Sequence, residues 1–330
     1  EIPMKTRIPP GTKTTLPKFG SWPETRHKFG EEVYAIEAAL ASRRPLLIRG
    51  EPGAGKSQLA RAAAHQLGWL FVPQVVHSRH EAQDLHCHFD AVGRLGVAQA
   101  LAAGADKGDA ETQLKEARFL RPGPLWWVYD WKSAMEQNAS CRYGGPVPER
   151  PKEWKPGQGS VLLIDEIDKA DADLPNGLLE TLGNGAFTVP YLHKTIGSQG
   201  SEPPLVVITT NEERELPPAF VRRCLVLNMD LPKEEAALIQ HLVARGELHF
   251  GKEAGEKCSP GVLKEAAQQL WEDRQAAEDL GVTPPGQAEY LDLLRAVSGM
   301  AEGHDEQSDV LNRIKDYALK KSPQLSPIIN

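Results

Sequence analysis

The chain has 330 residues, 40% of them hydrophobic and 25% charged, enough for one large domain and a smaller one, and its formal net charge is −7. That balance argues against a protein that coats nucleic acid by bulk charge and leaves room only for a local basic patch. No apolar run reaches the ~18 residues that a membrane-crossing helix needs, and Cys87, Cys141, Cys224 and Cys258 form no CxxC pair, which reads as a cytoplasmic protein with no disulfide framework and no membrane insertion.

Residues 1–25 are rich in Pro, Thr and Lys, lack the apolar stretch of a signal peptide, and are expected to form an extended arm. Val33, Ile36, Ala39 and Leu40 recur at helical spacing and predict a helix over 31–41, halted by Arg43-Arg44-Pro45. The apolar run 45–48 reads as a buried strand ending at Gly50, and residues 57–67 as the helix after it. Further strands are predicted at 70–76, 161–164, 205–209 and 224–227, separated by helical stretches. Such apolar runs imply an α/β fold, a parallel sheet with helices on both faces. Between about 84 and 156 the pattern loosens: GADKGD (104–109) reads as a loop tip, GPLWWVYDW (123–131) as an aromatic anchor, and the whole as an insertion. After Asp230-Leu231-Pro232 the strand signals stop. Amphipathic helices at 233–242, 261–272, 288–301 and 308–320 predict a small helical domain over 231–330, leaving 26–230 as the α/β domain.

Gly50-Glu51-Pro52-Gly53-Ala54-Gly55-Lys56-Ser57 fits G-x-x-x-x-G-K-[ST] between a strand and a helix. Glycines there let successive N–H groups turn onto phosphate oxygens, and the helix beginning near Lys56 points the positive end of its dipole at the same anion. The pattern assigns Lys56 to the β- and γ-phosphates and the Ser57 hydroxyl to Mg²⁺. We take Glu51, Pro52, Gly53, Ala54, Gly55, Lys56, Ser57 and Gln58 as the ATP/ADP-binding set. Ligands of parallel sheets gather beyond the carboxyl ends of the strands, where the strand 161–164 delivers Asp165 and Glu166. Asp165 is expected to hold the metal and Glu166 to polarise the water that attacks the γ-phosphate. Asp168 is expected to cap the next helix or to pair with Lys169. His86-Cys87-His88 lacks a second ligand pair and reads as a packed or solvated turn. Trp126, Trp127 and Trp131 read as packing in preference to a base-stacking platform, and Lys320-Lys321 as a helix end.

Together with LVVITTN (205–211) and PPAFVRRC (217–224), these residues resemble the AAA+ ATPases over roughly residues 25–300. LPNGLLETLGNGAFTVP (174–190) and the stretch from DAVGRL to RPGPLWW (90–127) are similar to the MoxR branch, whose members act with von Willebrand factor A-type partners. The resemblance implies a P-loop NTPase sheet followed by a helical lid. It implies that Asn211 is a sensor orienting the attacking water, a role an amide suits because it donates and accepts at once. It also implies that at least one of Arg222 and Arg223 is a finger reaching the neighbouring subunit's nucleotide. It further implies a homo-oligomeric ring, a hexamer, whose Mg²⁺-dependent hydrolysis remodels or matures a protein client, with a von Willebrand factor A domain protein as the candidate. The family often carries a basic second sensor at the start of a lid helix. Here residues 281–297 offer Pro284, Pro285 and Gly286, with Arg295 two turns deeper and read as surface charge, so that role is absent or supplied by another basic residue. Two alternatives stand beside this reading: a nucleotide-gated assembly scaffold with little turnover, and a nucleic-acid-associated motor of restriction type, which the acidic balance disfavours.

Overall fold

The computed structural model describes residues 6–104, 109–197 and 202–320. Most of the loop tip expected at 104–109, Lys321, and the outer ends of the arm and of the helical domain lie outside the described residues.

Near the start, β1 (Lys13–Leu16) and β2 (Thr25–Lys28) pair antiparallel, Leu16 opposite Thr25. A hairpin therefore stands where the composition led us to expect an extended arm. Leu16, His27 and Phe29 bury on one face, and Pro17 and Pro23 fall in the connection, where a missing N–H removes no ladder bond. Helix α1 (Glu32–Ser42) buries Val33, Ile36 and Ala39 and ends at Arg43, whose left-handed φ of 55° returns its N–H to the last carbonyls.

The chain then runs through β3 (Leu46–Arg49), α2 (Lys56–Leu67) and β4 (Leu70–Val75). Next come α3 (Ala82–His86), β5 (Cys87–Phe89), α4 (Ala91–Ala102), α5 (Ala110–Gln113), β6 (Leu120–Pro122), α6 (Pro124–Tyr129) and α7 (Trp131–Ser140), with β5 and β6 antiparallel. After β7 (Ser160–Asp165) follow α8 (Asp173–Gly177), α9 (Leu179–Asn184), and the antiparallel β8 (Ala186–Val189) and β9 (Lys194–Gly197), a hairpin the sequence reading did not contain. Then come β10 (Leu205–Thr209), α10 (Pro218–Val221) and β11 (Leu225–Asn228). The chain closes with α11 (Glu235–Phe250), α12 (Pro260–Asp279), α13 (Gln287–Met300) and α14 (His304–Leu319).

Five strands form the central sheet in the order β11-β3-β10-β7-β4. The register is parallel: Thr209 pairs with Ile48, Ile208 with Ile164, and Val75 with Asp165, so the carboxyl ends of these strands lie along one edge. Leu46, Leu47, Ile48 and Val161 through Ile164 are fully buried, as strands covered on both faces must be. This sheet with its flanking helices and the following helical region is the α/β fold of a P-loop NTPase with a helical lid.

The chain divides into two compact units. Of the described residues, 6–10, 30–48 and 60–227 form one, and 11–29, 49–59 and 228–320 form the other. The core of the first includes Trp126, which is fully buried, donates to Ser133 Oγ and meets Phe187 edge-on, and a second aromatic group in which Trp131 packs on both Trp127 and Trp154. The tryptophans are thus core residues, as their apolar company suggested. His86 stacks on Phe187 at 4.4 Å between ring centroids and bonds Thr181, and burial pushes its pKa down to about 4. No group of three or more metal-ligating side chains occurs among the described residues, and none of their helices is long and apolar enough to cross a membrane. The core of the second unit brings Leu238 and Leu242 of α11, Leu263 and Leu270 of α12, and Tyr290 and Leu294 of α13 together. Helix α11 continues eight residues past the expected end at Leu242, and within that part Gly246 leaves room for the Tyr290 hydroxyl, 2.5 Å from where a Cβ would stand.

Candidate functional site

Strand β3 leads directly into the glycine-rich turn. Gly50, Gly53 and Gly55 take φ of 141°, 77° and 92°, values that L side chains rarely adopt. At Gly50 space excludes a side chain as well, since a Cβ would lie 2.5 Å from the Met229 carbonyl oxygen. Lys56, at the head of α2, is 6% exposed and donates to the carbonyls of Gly50 at 2.7 Å and Glu51 at 2.9 Å. The ammonium group is therefore folded back over the loop it follows.

The Glu51 carboxylate does not point into the turn. Arg274 of α12 takes both of its oxygens, at 3.0 and 2.9 Å, and gives a further bond to the Pro285 carbonyl at 2.7 Å. Beside Gly53–Gly55 lies a cavity of about 210 Å³ lined by Arg26, Gln58, Arg245, His249, Ala288 and Arg295 among others. Gln58 Nε2 is buried with no hydrogen-bond partner among the described residues. His249 is pushed down to about 4, first by burial and then by the charges of Arg245, Arg295, Arg26 and His27. Arg295 itself is 64% exposed and pairs with Asp292 at 2.5 Å, a surface ion pair as expected.

At the carboxyl end of β7 the acidic residues are held by β10. Thr209, 1% exposed, donates its hydroxyl to Asp165 Oδ1 at 2.6 Å and accepts the Glu166 N–H at 2.9 Å. Glu166 turns out of the strand at φ 59°, and its carboxylate meets Lys169 Nζ at 2.6 Å and Asn211 Nδ2 at 3.4 Å. That ion pair holds the Lys169 pKa above its ordinary value. Asp168 is neither a helix cap nor a hydrogen-bond partner of Lys169. It is 2% exposed, and its Oδ2 accepts the backbone N–H groups of Asn211 at 3.1 Å and Glu213 at 3.0 Å, so it shapes the turn after β10. Asp165, Glu166 and Asn211 are thus gathered at one sheet edge, with Thr209 and Lys169 as members the motifs did not announce. Thr209 lies two residues before Asn211, a position from which a strand-end hydroxyl could have been suspected.

Arg222 and Arg223 are exposed just after α10, and their backbone is clamped from α1's far end. Arg44 donates Nε to the Arg223 carbonyl at 3.0 Å and Nη2 to the Arg222 carbonyl.

A glycine-rich turn between a parallel strand and a helix is the phosphate-binding element of a P-loop domain, and β7, separated from β3 by β10 in the same sheet, carries the acids at its carboxyl end. Residues 45–224, more than half of the 330, match the family described as AAA domain (dynein-related subfamily). The chain belongs to that family. The AAA domain match spans β3 through Cys224 and so contains the loop, the acidic strand end, Asn211 and both arginines. It makes this an AAA+ ATPase domain. Among solved structures the AAA chain is similar to a "putative ATPase" of Cytophaga hutchinsonii at 12% identity over 86% of this chain and 80% of that one, with a TM-score of 0.36, a distant likeness. No curated protein matches it.

Proposed function

We propose that this AAA domain binds ATP in the loop 50–57 and hydrolyses it with magnesium. The observation that carries the reading is the acidic edge. Thr209 fixes Asp165 and the Glu166 backbone, and Asn211 reaches the Glu166 carboxylate, at the ends of strands that lie in register with the strand feeding the loop. In this reading Lys56 meets phosphate charge and Gln58 Nε2 donates to the bound nucleotide. Asn211 orients the attacking water, and Glu166 accepts its proton. Ser57 and Asp165 offer the oxygen donors that a hard divalent cation takes, and magnesium, when bound, neutralises charge developing on the phosphoryl oxygens.

The further steps of the proposal are supported by family membership. Domain 26–230 and lid 231–330 form the repeating subunit of a homo-oligomeric ring, a MoxR-like hexamer. Arg222 and Arg223 act across its subunit boundaries, and turnover remodels a cytoplasmic protein client carrying a von Willebrand factor A domain. A second reading, a nucleotide-gated scaffold with little turnover, draws on the engagement of Glu166 by Lys169 at 2.6 Å.

Binding and phosphate release by purified protein test both. Lys56→Ala should abolish ATP binding. Glu166→Gln should still bind ATP but turn over on the order of a hundredfold more slowly, the lower end of what a general base contributes. Unchanged hydrolysis in Glu166→Gln removes that residue from the chemistry, and wild-type protein that binds ATP without Mg²⁺-dependent turnover is the scaffold.

A further inference from the structure

A carboxylate in the middle of a phosphate-binding turn works against the anion that the turn collects, yet Glu51 occupies the second position of this loop. Its partner is 223 residues further along the chain. Arg274 is buried in α12, its side chain 7% exposed, and it closes on both Glu51 oxygens in the two-pronged geometry that a guanidinium provides and an ammonium does not. The same guanidinium donates to Pro285, just ahead of α13. The first turn of α13 lies against the loop: a Cβ on Gly53 would sit 2.7 Å from the Ala288 Cβ, and one on Gly286 would sit 3.2 Å from the Pro52 oxygen. No basic side chain occurs in 284–288, so that first turn brings no positive side chain of its own to the loop.

We infer that Arg274 is a positioning residue for nucleotide binding, cancelling the negative charge of Glu51 and fixing the phosphate loop against the head of α13 without itself touching phosphate. The inference rests on the ATP-binding reading above. Arg274 is withdrawn from solvent while the Glu51 side chain stays 36% exposed, so loss of the arginine leaves a carboxylate whose repulsion, partly screened by salt, is felt by the incoming triphosphate. Arg274 and Glu51 therefore act on affinity with opposite signs, which a purely structural brace would not produce.

The experiment is titration of the full chain with a fluorescent ATP analogue in magnesium, at low and at high salt. Wild type should bind and Lys56→Ala should not; wild type that binds no nucleotide overturns the functional reading and this inference with it. Arg274→Gln should weaken binding by about tenfold at low salt and by less at high salt. Adding Glu51→Gln to Arg274→Gln should bring affinity back to within about threefold of wild type. A double variant as weak as Arg274→Gln alone, or an Arg274→Gln variant that binds like wild type, overturns the inference while leaving the ATP reading intact. If Arg274→Gln lacks a cooperative unfolding transition, Glu51→Gln alone decides: it should bind more tightly than wild type, and weaker binding overturns the inference.

Discussion

Glu166 holds a left-handed backbone, φ 59° and ψ 51°, which costs a residue with a Cβ on the order of 1–3 kcal/mol. The conformation swings its carboxylate out of the line of β7 towards Asn211 and Lys169. The placement of Asp165 and Glu166 at the carboxyl end of β7 was legible because the apolar run of a parallel strand stops where its acids begin. The partners of this edge were not, since Thr209 and Asp168 act on residues 43–45 positions away and no local pattern carries that information. Asp168 shows the limit well: proximity to Lys169 suggested an ion pair, whereas two backbone N–H groups outcompeted it. His249 gives a test at this scale. Held neutral at a pKa of about 4 by burial and by Arg245, Arg295, Arg26 and His27, it takes up a proton in the unfolded chain near 6.5. The unfolded state then binds more protons below that value, so this histidine's penalty on folding is absent above pH 6.5 and grows as pH falls towards 4. Urea titrations across that window should show His249→Gln losing less stability than wild type, by about 3 kcal/mol at the acid end.

Elements with long apolar periodicity were readable and the short ones were not. The five sheet strands stand within one or two residues of where their apolar runs put them. The two hairpins escaped because four-residue strands of mixed polarity, such as KTTL and TRHK, give too few repeats for a period of two to show. Helix α11 was read eight residues too short, and Gly246 lies in the part that was missed. Its role is spatial: a Cβ at Gly246 would lie 2.5 Å from the Tyr290 hydroxyl and 3.1 and 3.3 Å from Leu263 and Leu294. Two effects oppose each other in Gly246→Ala. The helix gains up to about 1 kcal/mol of propensity, and the overpacked contact costs about 1–3 kcal/mol while displacing Tyr290 from its 3.0 Å bond to the Leu263 carbonyl. Packing should win, with a net destabilisation of about 1 kcal/mol in chemical denaturation; a stabilised variant would show that the three helices yield.

For the whole molecule the decisive question is whether a subunit completes its own site. Arg44 fixes the backbone of the turn that carries Arg222 and Arg223 while both side chains stay exposed, which suits groups that serve a neighbour. An Arg222→Ala, Arg223→Ala double variant and Lys56→Ala should each be inactive alone. Randomly mixed in the proposed ring they should recover up to about a quarter of the wild-type hydrolysis rate, because one boundary in four then joins an intact loop to intact arginines. Phosphate release from rings shown to be mixed checks this, and no recovery would assign the arginines to their own subunit. The hairpin of β1 and β2 bears on how such proteins are prepared. Residues 11–29 belong to the same unit as the helices beyond 228; Leu16 and Phe29 are fully buried, and Lys13 meets Glu253 at 2.5 Å. A clone trimmed to begin at the first helix would discard a stretch that looks dispensable on paper and strip the helices beyond 228 of their cover, so a cut made ahead of residue 30 would surface as unravelling some two hundred residues later.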